Sequence, residues 1–261
     1  MGIINISIIG ASGRMGMAIV EESKKIPNFK IKYLVEAKGH ESVGSTLDNV
    51  IVTDRVDKSI KESDVIIDFS SPKSTLNLMK SINRKDTPAL VIGTTGFTKK
   101  QEEEFERVKR GLKVLRASNM SIGVNLMFNL TKQLTKTLPD DANVEILDTH
   151  HKLKKDTPSG TSLSLGEEVK SGKKNGKNFK FEFRGQSQNK DRKEKEIGFS
   201  SVRGGDVIGD HSVFFFLDGE RIELIHRASN RNIYAKGALV AAKWIKNQKQ
   251  GLYSMKDLVK I

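Results

Sequence analysis

The feature that most constrains the fold lies near the start of the chain, where a glycine-rich turn joins an apolar run to a helical pattern. Residues 4–10 read INISIIG, and a short isoleucine-rich run that ends in glycine is typical of a strand buried on both faces. The turn GASGRMG at 10–16 leads into a helical pattern that extends to Ile26, and KIKYLVE at 30–36 returns to a strand pattern. This order of strand, turn, helix and strand predicts one half of a dinucleotide-binding fold.

Strand-like and helical segments continue to alternate over the first 120 or so residues, and then the pattern changes. Strand-like segments at 64–70, 89–93 and 113–118 alternate with helical segments at 73–82 and 99–111, which predicts an α/β domain with a doubly wound, parallel, Rossmann-like sheet. A helix at 123–138, a strand at 143–149 and a helix from about Ser162 to Lys170 then precede strand-like segments at 198–203, 211–219 and 220–227. Such clustered strands predict a second α+β domain on an open mixed or antiparallel sheet.

The tail of the chain completes the predicted domain organisation. Residues 233–247 form a strongly apolar helical pattern with no strand of its own, so we expect this helix to pack back on the first domain. We therefore predict a dinucleotide-binding domain of residues 1–121 plus 231–261 and a second domain of residues 122–230. The lysine-rich segment 172–195 is predicted to be a flexible, solvated surface loop without function.

Composition excludes several classes of function. The sequence contains no cysteine, which excludes disulfides, thiolate nucleophiles and cysteine-bound metal and suits a reducing cytoplasm. No apolar run approaches the roughly 18 residues that a membrane span needs, and the start of the chain lacks signal-peptide features. The net charge of +13 admits a nucleic-acid partner, but much of the excess lies between Lys152 and Lys195, which fits a site for a small polyanion. We expect neither nucleic-acid nor membrane binding.

The glycine turn carries the first candidate site. Gly10, Gly13 and Gly16 form a Gly-x-x-Gly-x-x-Gly fingerprint between a strand and a helix, and Glu36 follows twenty residues later at the end of the next strand. Glycines let the backbone approach a pyrophosphate at the helix N-terminus, and the acid can accept hydrogen bonds from ribose hydroxyls. Arg14 at the helix start is expected to reach toward phosphate. The alternative is a plain glycine turn.

Two further loops follow predicted strands and are candidates for the nicotinamide end of such a cofactor. They are IGTTGF at 92–97 and ASNMSIG at 117–123. Ligands bind at the carboxyl ends of strands in open parallel sheets, and the backbone and amide groups of these loops could hold a carboxamide. Each loop taken alone is equally compatible with an ordinary tight turn.

The stretch THHKLKKDTPSGTS at 149–162 carries the second candidate site. Adjacent histidines after a strand point to opposite sides, so a metal site formed by His150 and His151 is not expected, whereas one imidazole suits a proton donor near neutral pH. Ser159, Gly160 and Thr161 begin a helix whose N-terminal N–H groups could bind a carboxylate, with Lys154 supplying charge. The alternative is a basic surface loop, in which Asp156 only shapes the turn.

Taken together, these motifs resemble one known family. GASGRMG, DFSSPKST, VIGTTGF, ASNMSIGVN, HHKLKKDTPSGT and VRGGDVIGDH occur in the order found in the dihydrodipicolinate reductase family of bacterial lysine and diaminopimelate biosynthesis. The resemblance implies reduction of 4-hydroxy-tetrahydrodipicolinate, a small, cyclic, dianionic imine, by NADH, NADPH or both. It also implies that the second domain binds the substrate and forms a homotetramer through its sheet.

The resemblance implies roles for individual residues. His150 would donate and accept the proton, Lys154 would be a second donor, and the substrate would lie against His151, Ser159, Gly160 and Thr161. The implied cofactor site comprises Gly10, Ala11, Ser12, Gly13, Arg14, Met15, Glu36, Gly93, Thr94, Thr95, Ala117, Ser118, Asn119 and Met120. Many relatives have arginine directly after the ribose-binding acid, whereas this chain has Ala37 and then Lys38, which leaves the choice between NADH and NADPH open.

Two other functions remain as alternatives at this point. One is another two-domain Rossmann reductase that acts on a different small anionic substrate. The other is a nucleotide-sensing or nucleic-acid-binding module that uses the positive charge of the chain.

Overall fold

The computed structural model describes residues 2–82, 87–185 and 191–260. The chain divides into two compact units: unit 1 comprises Met1–Ile122 and Asn232–Leu258, and unit 2 comprises Gly123–Arg231 and Val259–Ile261. The two internal boundaries lie one residue after those predicted from the sequence. The end of the chain differs from the prediction, because the backbone oxygen of Val259 accepts a hydrogen bond from the side chain of Asn129 (3.0 Å), which belongs to unit 2.

The elements follow one another along the chain in this order. The first half contains β1 (Ile4–Ile9), α1 (Arg14–Ser23), β2 (Phe29–Val35), β3 (Thr46–Leu47), β4 (Val50–Thr53), α2 (Val56–Glu62), β5 (Val65–Asp68), α3 (Pro72–Ser81), β6 (Ala89–Ile92), α4 (Lys99–Val108), β7 (Lys113–Arg116) and α5 (Ile122–Thr137). The second half contains β8 (Asn143–His150), α6 (Gly160–Gly172), a short 3-10 helix (Gly176–Asn178), β9 (Lys180–Phe183), β10 (Glu196–Arg203), β11 (Asp210–Leu217), β12 (Glu220–Arg227), α7 (Asn232–Ile245), β13 (Gly251–Tyr253) and α8 (Met255–Leu258).

Unit 1 is built on a sheet that is covered on both faces. Over the described residues its strand order is β13-β7-β6-β5-β1-β2-β4-β3, and only the β3–β4 pair is antiparallel. Alternate residues of β5 enter different cores: Ile67 packs in the cluster that contains Leu239 of α7, and Ile66 packs in the cluster that contains Phe105 of α4. The doubly wound parallel sheet predicted from the apolar strands is confirmed.

Several short elements of unit 1 were missed at the sequence level. These are β3, β4 and α2 in the stretch from Thr46 to Glu62, and β13, where the tail helix was expected to have no strand of its own. That expectation is wrong, because Gly251–Tyr253 pairs in parallel with β7 at the sheet edge. Strands of two to four residues are too short to show a period, so only their pairing partners define them.

Unit 2 is built on a mixed sheet with helices packed on one face. Its strand order is β12-β11-β8-β10-β9 in the part of the chain described; β10 runs parallel to both β8 and β9, whereas β11 is antiparallel to β8 and β12. Val144, Phe199 and Val213 share a core with Phe128 of α5 and Leu165 of α6. The predicted open mixed sheet is confirmed.

The lysine-rich segment 172–195 is more ordered than predicted. It contains the 3-10 helix and β9, which pairs with β10, and Arg184 forms an ion pair with Glu145 at 2.7 Å. The prediction of a flexible loop is therefore wrong for the described part, because backbone pairing outweighs a polar composition. Residues 186–190 lie outside the described residues.

Candidate active site

The glycine turn of unit 1 forms a backbone cradle at the start of α1. Gly10 has φ +78°, and a Cβ atom there would lie 2.6 Å from the backbone oxygen of Phe69. A Cβ atom at Gly16 would lie 2.2 Å from the oxygen of Gly10, so helix and turn pack backbone to backbone. Gly13 is the N-cap of α1 and has no side chain, which leaves the N–H groups of the first turn open to an anion. The cradle fits a pyrophosphate.

Two cavities adjoin this cradle and share Gly13, Phe69 and Ser70. The first, about 490 Å³, is lined by Gly13, Arg14, Met15, Phe69, Ser70, Gly93, Thr94, Thr95, Ser118, Asn119, Met120 and Tyr234. The second, about 560 Å³, is lined on its other sides by residues that include Gly10, Ser12, Glu36, Lys38 and His40. The structure thus brings most of the proposed cofactor residues together around one turn. Ala11 instead lies in the core and is fully buried, and Ala117 packs against that core.

Glu36 is tied directly to the glycine turn. Its Oε1 accepts a hydrogen bond from the backbone N–H of Ser12 at 2.7 Å. The Ser12 hydroxyl donates to Oγ of Ser42 at 2.6 Å, and Nδ1 of His40 lies 2.8 Å from that same oxygen. Lys38 and His40 line the same cavity as Glu36. A carboxylate suited to a ribose hydroxyl therefore lies in one cavity with basic side chains suited to a phosphate.

Arg14 is exposed at the start of α1. No ion pair or hydrogen bond of its guanidinium group occurs among the described residues. A cation at a helix N-terminus opposes the helix dipole unless an anion shares the site. Its position therefore fits a residue that meets a bound phosphate.

Asp68 of unit 1 was not among the candidate residues predicted from the sequence. It ends β5, is fully buried, and accepts hydrogen bonds from the Ser70 hydroxyl at 2.5 Å and the Thr75 hydroxyl at 2.6 Å. Burial raises the pKa of its carboxyl group, although these hydrogen bonds oppose the rise. Oδ1 of Asp68 also accepts hydrogen bonds from the Ser70 N–H at 3.0 Å and from the Thr94 hydroxyl at 3.4 Å, so Asp68 links two loops that line the first cavity.

The second candidate site lies at the carboxyl end of β8 in unit 2. His150 ends this strand and is 7% exposed, and its Nδ1 lies 2.7 Å from Oδ2 of Asp148. Asp148 is fully buried and also accepts hydrogen bonds from Nη1 of Arg203 at 2.8 Å and from the Ser201 hydroxyl at 2.5 Å. The site therefore contains a carboxylate–imidazole pair set within the sheet.

The environment of this pair shifts the pKa values of both groups. Burial lowers the pKa of His150, and the charges of Lys154 and Arg203 add to this effect, while Asp148 opposes it. Burial alone would raise the pKa of Asp148, but hydrogen bonds from Ser201 and His150 and the charge of Arg203 lower it overall. Asp148 is thus ionised and His150 is neutral near pH 7.

A second buried histidine packs beside the pair. The rings of His150 and His211 meet edge to face, with centroids 5.2 Å apart. Burial lowers the pKa of His211 to about 4, and the neighbouring His150 adds to this shift. Nε2 of His211 lies 3.0 Å from the Ser159 hydroxyl, whereas its Nδ1 has no hydrogen-bond partner among the described residues.

The Pro-Ser-Gly-Thr turn begins helix α6 next to this cluster. Ser159 is the N-cap, and its Oγ accepts a hydrogen bond from the Ser162 N–H at 3.2 Å. Its side chain is 3% exposed and engaged with His211, so the structure gives Ser159 an architectural part in the turn. Gly160 is exposed and Thr161 is half-buried at the first turn of the helix.

The remaining predicted residues lie in the loop between β8 and α6. Lys154 is half-buried, and its Nζ donates to both carboxylate oxygens of the exposed Asp156 at 2.8 Å. This ion pair lowers the pKa of Asp156. His151 is half-buried, and its backbone oxygen accepts a hydrogen bond from the Lys154 N–H at 3.1 Å.

Four members of this cluster were not foreseen from the sequence: Asp148, Ser201, Arg203 and His211. A signal existed for Asp148, because residues two apart on a strand share a face, so Asp148 and His150 had to lie together. The other three come from β10 and β11, and only the strand register brings them to the site.

Residues 2–82, 87–185 and 191–260 contain neither a cluster of metal-ligating side chains nor a membrane-spanning helix. In these ranges no group of three or more His, Cys, Asp or Glu side chains could hold a metal ion. No helix in the same ranges is long and apolar enough to cross a membrane.

The fold and these two sites define a class of protein. A doubly wound unit with a pyrophosphate cradle, joined in one chain to a unit with a buried acid–base pair, is a nicotinamide-dependent oxidoreductase. The family model described as dihydrodipicolinate reductase, N-terminus, matches residues 4–120, and the model described as dihydrodipicolinate reductase, C-terminus, matches residues 123–259. The chain belongs to the dihydrodipicolinate reductase family, whose members act in the diaminopimelate route to lysine.

Individual relatives agree with this family. The chain is 45% identical to the 4-hydroxy-tetrahydrodipicolinate reductase of Rickettsia bellii over 99% of its own length and 95% of the relative. It is 40% identical to the protein of the same name from Hahella chejuensis over 97% of its own length and 98% of the relative. Among solved structures, dipicolinate-bound dihydrodipicolinate reductase from Paenisporosarcina sp. TG-14 shares the fold, with a TM-score of 0.79 at 23% identity over 98% of this chain and 99% of that one.

Proposed function

We propose that this chain reduces 4-hydroxy-tetrahydrodipicolinate to tetrahydrodipicolinate, with unit 1 binding NADH or NADPH and unit 2 binding the substrate. The names of its relatives support this substrate. In the overall reaction the substrate gains one hydride and one proton and loses one water. The observation that carries the proposal is the buried His150–Asp148 pair next to the N-cap of α6, where the Ser159 N–H lies 3.5 Å from Oδ1 of Asp148, because it combines an acid–base group with an anion site.

His150 would supply the proton. Its pKa is lowered by burial in the free protein, but a dianion bound beside it favours the charged imidazolium. Substrate binding would therefore raise the pKa of His150 and load the ring with the proton that the reaction consumes. General acid catalysis of this kind is typically worth about 10²- to 10⁴-fold in rate.

The carboxylates of the substrate would bind at two positively polarised or charged features of unit 2, the N-terminus of α6 and the side chain of Lys154. The first turn of α6 presents the N–H groups of Gly160 and Thr161, where the helix dipole favours an anion. Lys154 supplies a full charge. Its present partner, Asp156, is exposed, and such an ion pair contributes little to stability, so a substrate carboxylate can share or replace it.

The cofactor would lie along the glycine turn of unit 1. When bound, the dihydronicotinamide supplies the hydride. The uncapped N–H groups of α1 and Arg14 would hold the pyrophosphate, and the loops at Gly93–Thr95 and Ser118–Met120 would hold the nicotinamide end. Glu36 favours the ribose hydroxyls of NADH, whereas Lys38 and His40 favour the 2′-phosphate of NADPH, so we propose that both cofactors are used.

Steady-state kinetics of two variants test these roles. We expect His150→Gln and Lys154→Ala each to lower kcat by about 100-fold or more, because each removes a proton donor or a positive charge from the reacting centre. Cofactor affinity, measured by quenching of protein fluorescence, should stay nearly unchanged. An equal loss of cofactor binding would show a structural role instead.

A substrate panel separates the proposal from its rivals. A different two-domain reductase would turn over another small anionic substrate and leave the cyclic dicarboxylate unchanged. A nucleic-acid-binding module would bind DNA or RNA at physiological salt. We expect only weak binding that disappears as salt rises, because the +13 charge acts through non-specific phosphate contacts.

We further propose a homotetramer formed through the sheet of unit 2. Helices α5 and α6 pack on one face of this sheet, while apolar side chains on its other face remain accessible, among them Ile225 (44% exposed) and Phe216 (36% exposed). Light scattering should give four times the chain mass for the wild-type protein and a smaller mass for the Phe216→Glu, Ile225→Glu double variant. A monomeric wild type would contradict the proposal.

We also propose that the enzyme works in the cytoplasm. The cysteine-free sequence supports this location, because a reducing compartment offers no stabilisation from disulfides. Fractionation of the source cells, with the reductase activity followed in each fraction, tests it.

A further inference from the structure

We infer that Asp148 is a positioning residue, which fixes His150 with its proton on Nδ1 and presents Nε2 as the atom that transfers a proton. Ser201 and Arg203 in turn hold the Asp148 carboxylate in place. The inference rests on the proposed function only for its kinetic consequence. The geometry of the pair stands on the contacts of unit 2 itself.

The strand register builds this arrangement. Asp148 and His150 are two residues apart on β8 and share the face that carries the core residues Val144 and Ile146. Asp148 lies opposite Ser201 on β10 and opposite His211 on β11. His150 lies opposite Arg203. Next to the apolar core, the same face of the sheet therefore carries the polar side chains of Asp148 and its neighbours on β10 and β11.

The hydrogen bonds of Asp148 determine the tautomer of His150. Oδ1 accepts from the Ser201 hydroxyl at 2.5 Å, and Oδ2 accepts from Arg203 at 2.8 Å and meets Nδ1 of His150 at 2.7 Å. An ionised carboxylate can only accept hydrogen bonds, so Nδ1 of His150 must be the donor. The neutral ring then carries its free lone pair on Nε2, which is the atom that can take up and release a proton.

The surroundings of the ring hold it in this orientation. His211 packs edge-on against it, and the backbone of Gly209 lies close to Nε2, where an added Cβ atom would be 3.0 Å from that nitrogen. A rotation that broke the Nδ1 bond would leave the buried, charged Asp148 with one hydrogen bond fewer, which is costly for a carboxylate with no exposed surface. Asp148 thus acts on the reaction through His150.

Within the described part of the chain, four charged or titratable groups face His150: Asp148 from its own strand, Arg203 from β10, His211 from β11 and Lys154 from the following loop. Asp148 favours the imidazolium, whereas Arg203 and Lys154 disfavour it. Removing the charge of Asp148 should therefore lower the pKa of His150, and removing the charge of Arg203 should raise it. General damage to the fold would not lower the pKa of His150 in one of these variants and raise it in the other.

NMR spectroscopy of the intact chain tests the pair without substrate. The sequence has five histidines, so ¹⁵N and ¹³C labelling of histidine gives five ring systems, and His150→Gln assigns the one in question. We expect the wild-type spectrum to show Nδ1–H at neutral pH. Asp148→Asn should shift the ring to Nε2–H and lower its pKa, and Arg203→Gln should keep Nδ1–H and raise the pKa. The control Asp218→Asn, in the exposed turn after β11, should change neither.

Kinetics then connect the pair to the reaction. We expect Asp148→Asn to lower kcat by about 100-fold or more, with little change in cofactor affinity, and Asp148→Glu to recover part of the loss. A wild-type Nε2–H tautomer, or an Asp148→Asn variant with normal tautomer and normal kcat, would overturn the inference while the proposed function stands. If Asp148→Asn does not fold, the Arg203→Gln variant provides the test. The pKa of His150 should be higher in that variant than in the wild type, and an unchanged pKa would refute the inference. A wild type that is inactive on the dicarboxylate would overturn the proposed function and leave the NMR result valid.

Discussion

At the scale of single residues, Gly209 illustrates how a missing side chain leaves room beside Nε2 of His150, the atom proposed to transfer a proton. It precedes β11 and lies over the His150 ring, on the side of Nε2. In Gly209→Ala the new methyl group would approach Nε2 to 3.0 Å and Cδ2 to 3.3 Å, so the ring or the methyl group must shift. Small displacements of a reacting group can cost about 100-fold in rate. We expect a fall in kcat of at least about tenfold with unchanged cofactor affinity.

Gly204 provides the matched control for this prediction. It lies in the same β10–β11 connection, and a Cβ atom there would meet nothing within 4 Å. Gly204→Ala should therefore keep the wild-type kcat. Equal effects of the two variants would show that the connection needs glycine for its backbone rather than for space beside His150.

Glu36 carries the prediction about the cofactor. Its carboxylate is the group that can accept hydrogen bonds from ribose hydroxyls, and one of its oxygens is already bonded to the turn through Ser12. We expect Glu36→Ala to weaken NADH binding more than NADPH binding, since the lost partner is a hydroxyl acceptor and the lost charge repels a 2′-phosphate. Dissociation constants of both cofactors, measured by fluorescence titration, test this. A greater loss for NADPH would contradict the assigned role.

At the scale of elements, close backbone packing decides where glycine is required. Helix α7 packs on the first core of unit 1 through Ala238 and Leu239. A Cβ atom at Gly237 of the same helix would lie 1.8 Å from the backbone oxygen of Met120, which no rotamer can relieve. The apolar pattern of the tail predicted this helix from the sequence, but its close approach to residue 120 is a tertiary fact.

Gly237→Ala is therefore expected to destabilise the protein, although alanine is the better helix former. Overpacking of this kind costs about 1–3 kcal/mol, and we expect a loss in that range or larger. Gly160→Ala is the control, because it also lies in a helix but a Cβ atom there would meet nothing within 4 Å. Urea denaturation of the two variants tests the contrast. A stabilised Gly237→Ala would refute the packing argument.

At the scale of the whole molecule, the buried histidines make stability depend on pH. The pKa of His211 falls from 6.5 to about 4 on folding, so between these values the unfolded chain binds a proton that the folded chain does not. Stability linked to this group is complete above pH 6.5 and is lost as the pH falls toward 4. The shift corresponds to about 3 kcal/mol.

The free energy of unfolding, measured by urea denaturation from pH 7 to pH 4, should therefore fall steeply with decreasing pH. Burial also lowers the pKa values of His150 and His226, so the slope comes from more than one group. In His211→Gln the free energy of unfolding should depend less steeply on pH, but the dependence should not disappear. Glutamine is chosen because its amide can still form a hydrogen bond with the Ser159 hydroxyl. An unchanged slope in this variant would show that His211 is not the main linked group.

Much of the molecule could be predicted because local pattern and tertiary structure agree there. The isoleucine-rich strands, the glycine turn and the long helices are recognisable from their period and composition, and the candidate sites at Gly10–Met15 and His150 lie at the ends of such strands. The short elements β3, β4 and β13 could not be predicted, because a few residues carry no period. The segment 172–195 was misjudged, because its polar composition hides a strand whose stability comes from β10.

The amino-acid sequence by itself therefore determined the order of the longer strands and helices, the position of the glycine turn and the stretch that carries His150, since these depend on neighbours along the chain. Only the tertiary structure decided what surrounds His150. Ser201, Arg203 and His211 lie more than 50 residues away in sequence, and strand pairing sets them beside Asp148. A side chain on one strand acquires its charge environment from other strands, and register is a property of the folded sheet that no local window contains.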